Sequence, residues 1–238
     1  MKTPTNDNGK KKLLLASILL LTISVLIIAS QQSQYKSLRS KSCKGKILTI
    51  KHWTPSQWCA PLQGCPRQIC SALNANIKNN EVVIMVPRGV GGGEIYSLEK
   101  YKEGTFYAEL EFSLSPGVRY AFFLGVFDEG EPQNEIDIVE IDVVNESMAL
   151  VSGAVHWSAN KMLWASPRKA LSETSINVTL TWKGSNLSVY VNGELLWSWS
   201  NKELKSFRAL HIYFNAYTPK ESNKKGTLIV KHVQYFKD

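Results

Sequence analysis

Between Asp128 and Asp142 the chain carries seven acidic residues and no basic one, although its formal net charge is +8. The densest part reads NEIDIVEID, residues 134–142, with carboxylates at Glu135, Asp137, Glu140 and Asp142. Like charges crowded on one element repel, so either solvent screens them or a chemistry uses them. On a strand, Glu135 and Asp137 point to one face and Glu140 to the other, because side chains alternate with period two. One extra residue, a β-bulge near Ile138–Val139, returns Glu140 to the face of the first two. Ile136 and one of Ile138 or Val139 then face a core. Glu135 and Glu140 would be about 13 Å apart at Cα. Side chains leaning inward could bring their carboxyls toward the ~5–5.5 Å of a retaining glycosidase pair. Three acids at that range cannot all ionise freely, so their pKa values split. One stays charged to attack, and another holds a proton for a leaving oxygen. Taken alone, ExDxxE fits a solvent-facing strand equally well.

The elements around these acids read as strands. ILTIKHW (47–53), EVVIMV (81–86), GTFYAELEF (104–112), RYAFFLGVF (119–127), EIDIVEIDVV (135–144), LVSGAVHW (150–157), INVTLTW (176–182) and LSVYV (187–191) are rich in β-branched and aromatic residues. ELLWSW, ALHIYFNAY (209–217) and GTLIVKHVQYF (226–236) follow. Asn192-Gly193 is a hairpin signal, since both residues accept positive φ. No long amphipathic helix is evident after residue 46. The pattern predicts an all-β fold, an antiparallel sandwich or barrel over 46–238.

Other chemistries are set aside on the residues. RGVGGGE (88–94) lacks the Lys-Ser/Thr of a P-loop, and Glu94 stands where GxGxxG needs its third Gly. Neither HExxH nor GxSxG occurs. The four His residues (52, 156, 211, 232) are dispersed, and His232 reads as structural. Past residue 30, 24 basic against 19 acidic residues leave +5, scattered rather than striped with aromatics, so no nucleic-acid partner is expected.

The N-terminal region suggests export. A basic tail (1–12) ends in Lys10-Lys11-Lys12 and precedes LLLASILLLTISVLIIA, residues 13–29. These 17 apolar residues rise about 25 Å as a helix, the short end of a membrane span. They read as an uncleaved anchor, or else as a signal segment. The Lys cluster stays in the cytosol, residues 30–45 form a polar tether, and the sandwich lies outside or is secreted. Cys43, Cys59, Cys65 and Cys70 fall in one window (43–70) and suggest two disulfides with three possible pairings. A zinc site with His52 is the alternative, though no CxxC pair occurs. Sequons begin at Asn145, Asn177 and Asn186.

The chain also resembles glycoside hydrolase family 16, the β-jelly-roll endo-glycanases that include laminarinases and lichenases. EIDIVE (135–140) fits that family's bulged ExDxxE. GGGEIYSLEKYKEGTFYAELEF is similar to its run before the catalytic strand, RYAFFLGVF to its AFW or SFF strand, and SGAVHW to its His-aromatic strand. NVTLTWKGSNLSVYVNGELL resembles its EWTxxxIxFYVDG hairpin, YFNAYTP its NLWxG segment, and LIVKHVQYF its closing strand. The resemblance covers most of residues 91–236 and preserves motif order.

It implies a jelly roll of two stacked sheets of concanavalin A type. Glu135 would be the nucleophile, Asp137 its assisting acid and Glu140 the general acid/base. The reaction would be retaining hydrolysis or transglycosylation of an internal β-linkage, with β-1,3- or mixed-linked glucan as substrate. No cofactor is required, no metal ligands are assigned, and a structural calcium occurs in some relatives. The implied partner is a polysaccharide, bound by a monomer. Sugar-contacting candidates are Glu94, Tyr96, Tyr120, Phe123, His156, Trp157, Asn215 and Tyr217, with Trp164 a weaker one. Tyr96 departs from the Arg that follows GE in lichenases. Tyr217 and Phe123 each stand where the family has Trp. A lectin-like jelly roll without turnover is the competing implication.

Overall fold

The computed structural model describes residues 45–56, 71–128, 131–158 and 161–237, within the unit Gly45–Asp238. The basic tail, the apolar stretch 13–29, nearly all of the tether and the four cysteines lie outside the described residues. Among the described residues no helix is long and apolar enough to cross a membrane.

Sixteen strands are described: β1 (Lys46–Ile47), β2 (Trp53–Pro55), β3 (Ala75–Lys78), β4 (Glu81–Val86), β5 (Gly89–Tyr101), β6 (Gly104–Phe112), β7 (Arg119–Asp128) and β8 (Glu131–Asn145), then β9 (Met148–Ser158), β10 (Lys161–Ala165), β11 (Lys169–Leu171), β12 (Ser175–Lys183), β13 (Asn186–Val191), β14 (Glu194–Ser200), β15 (Leu210–Ser222) and β16 (Gly226–Phe236). They form two antiparallel eight-stranded sheets. The first runs β14-β13-β12-β6-β16-β4-β3, with β1 beside β16. The second runs β10-β9-β8-β7-β15-β5-β2, with β11 beside β9. This is the expected all-β jelly roll.

Period-two alternation builds the core. Phe106, Ala108, Leu110 and Phe112 on β6 are buried, as are Ile176, Val178, Leu180 and Trp182 on β12. Leu124, Ile136 and Val155 supply the facing layer from β7, β8 and β9. Each such side chain contributes about 1.5–3 kcal/mol on leaving water. The hairpin between β13 and β14 turns at Asn192 (φ 52°) and Gly193 (φ 84°), as their types predict.

One region differs from the sequence-based expectation, and one long strand lies outside the predicted ones. Residues 47–53 are not one strand, because Ile50–His52 forms a 3-10 turn. There the His52 ring accepts the Thr49 N–H at 2.9 Å, a local bond that competes with a strand ladder. Conversely, Gly89–Tyr101 is a 13-residue strand despite its glycines. A Cβ at Gly92 would overlap the Ala216 carbonyl on β15, and one at Gly93 would sit 3.0 Å from the Asn74 backbone. Glycine there permits close approach rather than a loop. Short strands β3, β10 and β11 carry too little β-branched pattern to be seen in advance.

Candidate active site

Strand β8 lies inside the second sheet between β7 and β9, so every carboxylate on it is placed by two ladders. Against β7, Phe123 pairs with Asp137 and Phe122 with Val139, which leaves Ile138 over. Against β9, Ala154 faces Asp137 and Ser152 faces Glu140, with three steps on β8 taken in two on β9. The extra residue is the bulge expected at Ile138–Val139. Both Ile138 and Val139 are fully buried, together with Ile136 and Ile141. Glu135, Asp137, Glu140 and Asp142 consequently share the face turned away from the core.

Register then assembles four rows across that face. His211, Gly125, Glu135 and His156 form the first; Tyr96, Tyr213, Phe123, Asp137 and Ala154 the second. Glu94, Asn215, Ala121, Glu140 and Ser152 form the third, and Tyr217, Arg119 and Asp142 the fourth. Six of the eight family-derived contact residues, Glu94, Tyr96, Phe123, His156, Asn215 and Tyr217, stand on that face. Glu94 is 5% exposed and accepts from Asn215 Nδ2 at 3.3 Å, while Asn215 Oδ1 is buried without a hydrogen-bond partner. His156 Nε2 lies 3.3 Å from Asp137 Oδ2. The Tyr217 hydroxyl accepts from Arg119 Nη1 at 3.3 Å, and Arg119 Nε donates to Asp142 at 2.5 Å.

The aromatic expectations need correction. Tyr120 is fully buried in the core, its hydroxyl donating to the Ser113 carbonyl at 2.8 Å. Its position beside Ala121 puts it on the opposite face from the acids. Trp157 also faces away, with its ring edge-on to Phe207 at 5.7 Å and packed against the core. Trp164 lies against Trp197 at 5.0 Å. Phe123 does stand on the site face, but it stacks on Tyr213 at 4.8 Å and 9°. Tyr213 in turn stacks on Tyr96 at 5.4 Å and 25°. One face of Phe123 is thereby spent on its neighbour rather than offered to a sugar.

Tyr213, Arg119 and His211 escaped the sequence reading, although two of them lie within ALHIYFNAY. Strand alternation through Asn215 puts Tyr213 and His211 on its face, and that signal was present.

Burial and mutual repulsion set the protonation of the row. Burial, then the charge of Asp137 and a hydrogen bond with it, push the Glu135 carboxyl well above the usual range. Burial and the Asp137 charge raise Glu140 to about 7, against the pull of Arg119. Glu94 is raised to about 7 by burial, eased by hydrogen bonds from Asn215 and Ser56. The hydrogen bond to Asp137 raises His156. On this strand Glu135 and Glu140 therefore hold their protons to higher pH than exposed carboxyls do. Among the described residues no group of three or more His, Cys, Asp or Glu side chains is arranged to hold a metal ion.

Fold and site together define a jelly-roll protein with a row of carboxylates on one face of a central strand. The chain belongs to glycosyl hydrolases family 16, whose model matches residues 67–234. Among solved structures it is similar to the laminarinase catalytic domain of Thermotoga maritima (TM-score 0.64, 15% identity, covering 81% of this chain and 94% of that one). It is also similar to the β-glucanase of Bacillus licheniformis (TM-score 0.63, 13% identity, 82% and 98%). A third is a lichenase derived from a mouse hindgut metagenome (TM-score 0.61, 15% identity, 81% and 97%). At these identities the likeness establishes the fold. No curated protein sequence matches the chain.

Proposed function

We propose that this protein is a retaining endo-β-glycanase acting on β-1,3- or mixed-linked β-1,3-1,4-glucan. The observation that carries the reading is the bulge at Ile138–Val139, which turns Glu135, Asp137 and Glu140 onto one face of a family 16 fold. The laminarinase and lichenase neighbours support the choice of glucan. Glu135 attacks the anomeric carbon as a carboxylate. The glycosidic C–O bond breaks as Glu140 gives its proton to the leaving oxygen. Glu140, now charged, takes a proton from water, and that water displaces Glu135 from the sugar.

Burial raises Glu135, which opposes its role as an ionised nucleophile. Its hydrogen bond with Asp137 resolves this. Through that hydrogen bond Glu135 passes its proton to Asp137 as substrate arrives, and attacks as a carboxylate. His156, beside Asp137, limits the charge that the pair presents. Asn215 and Glu94 hold sugar hydroxyls at the third row. The N-terminal apolar stretch and the four cysteines support a place outside the cytosol, where such polymers occur.

The test is incubation of residues 31–238 with laminarin, lichenan, agarose, carrageenan and xyloglucan, with products read by mass. Oligosaccharides from laminarin or lichenan, absent with Glu135→Gln, are expected. Tight binding without products in a folded protein would make it a lectin instead. Products from another polymer would move the substrate and keep the chemistry.

A further inference from the structure

The bulge that orders the acids is supported from the other sheet. Trp197 on β14 is 4% exposed, and its indole N–H donates to the Ile138 carbonyl at 3.1 Å across the core. Ile138 is the residue that neither β7 nor β9 takes into register. A buried carbonyl left without a donor is costly, and here a side chain from a distant strand supplies one. On β9 the residue opposite is Gly153. A Cβ there would overlap the indole Nε1 and stand 2.6 Å from the Asp137 carbonyl. Trp164, tilted against Trp197 at 5.0 Å and stacked with Trp199 at 6.2 Å, holds the indole plane. Ser166 takes both backbone groups of Gly153, each at 2.8 Å, which fixes β9 beneath the bulge.

A bulge can in principle sit at neighbouring positions of the same strand. Moving it by one residue reverses the face of whichever side chain it passes. In EIDIVE a shift of one residue would turn Ile138 or Val139 out among the acids, and a shift of two would send Asp137 or Glu140 toward the core. Among the described residues the Trp197 N–H donates to the carbonyl of Ile138. We infer that Trp197 is a positioning residue for the acid row: by holding the Ile138 carbonyl it keeps Glu135 and Asp137 on one side of the bulge in register with Glu140 on the other. The inference rests on the reading of Glu135 and Glu140 as the reacting pair. It adds a requirement placed in the opposite sheet, with no contact to substrate.

Two variants test it. Trp197→Phe removes the N–H and part of the ring. The sulfur isostere 3-benzothienylalanine at position 197 removes the N–H and keeps the shape. With the isostere, kcat on the best polymer should fall about 30-fold while KM changes less than about threefold, the signature of misplaced reacting groups. The alkaline limb of the pH profile should move as well. An NMR titration of the His156 ring gives a readout that needs no turnover, and it should shift as Asp137 leaves its place. In the wild type the Trp197 indole N–H should exchange slowly with solvent. An isostere variant with wild-type kcat, pH limb and His156 titration overturns the inference, and so does a loss confined to melting temperature. If the wild type cleaves no polymer, the glycanase reading fails, and the His156 titration and indole exchange still decide the role of Trp197.

Discussion

Strands β6 and β8 carry nearly the same pattern and do different things. On β6, Glu109 and Glu111 alternate with buried Ala108, Leu110 and Phe112. Glu109 accepts from the Tyr107 hydroxyl at 2.7 Å, and Glu111 pairs with Lys231. Those two acids stand on the outer face of the first sheet, each with a donor of its own. On β8, Glu135, Asp137 and Glu140 face one another, and their nearest cations, His156 and Arg119, are already engaged by Asp137 and Asp142. Alternation of acid with aliphatic thus builds a wet strand or a reacting site. The bulge, and the lack among the described residues of an ion pair to Glu135 or Glu140, decide between them.

The largest contrast is catalytic. Glu135→Gln or Glu140→Gln should lower kcat/KM on the natural polymer by about 10³-fold or more, whereas Glu111→Gln should leave it within about twofold. Equal losses at the two strands would erase the distinction. With an activated aryl glycoside, Glu140→Gln should keep much of its first step, because a good leaving group needs little proton donation.

Next comes pH. Glu140, held near 7, must be protonated to act, so kcat/KM should fall about tenfold per pH unit above that value. A flat profile to pH 9 would remove Glu140 as the proton donor.

Stability carries a smaller signal of fixed sign. Folding raises Glu94 from its ordinary range to about 7, so the folded state binds the proton more tightly. Stability from this group is greatest below about pH 4.5 and is lost as pH climbs through 7. The raised His156 acts in the same direction, its contribution disappearing as pH rises through its folded value. Glu94→Gln should therefore stabilise the protein at pH 8 by on the order of 2–3 kcal/mol and change little at pH 4, as read by denaturant melts. Stabilisation that is equal at both pH values would mean the effect is not electrostatic.

The smallest expected effect lies at the pair that joins β6 to β16. Lys231→Ala breaks an exposed pair with Glu111 and should leave melting temperature and activity unchanged within replicate error. A clear loss there would mean that β6 is more than a wet strand.

The all-β class, most strands, the Asn192-Gly193 turn and the acid row were legible from local rules: period two, β-branched content and turn chemistry. Even the bulge followed from parity, since EIDIVE can gather its acids only by spending one residue. The aromatics were harder. Tyr120 and Trp157 looked like sugar contacts by motif position, but alternation from Ala121 and His156 sends both to the other face. Phe123 kept its face and lost its role as an open platform, because Tyr213 from another strand covers it.

What the sequence determined by itself was local and periodic: which residues form strands, which faces are apolar, and that seven acids between Asp128 and Asp142 have no basic residue among them. The tertiary structure decided everything that depends on a partner far along the chain. It set the stack of Tyr96, Tyr213 and Phe123, the pairing of Glu94 with Asn215, and the donor that Trp197 sends to Ile138 across 59 residues. Alternation is written into each strand separately. Which strands lie side by side, and which buried carbonyl meets which N–H, is settled only when the two sheets close on a common core.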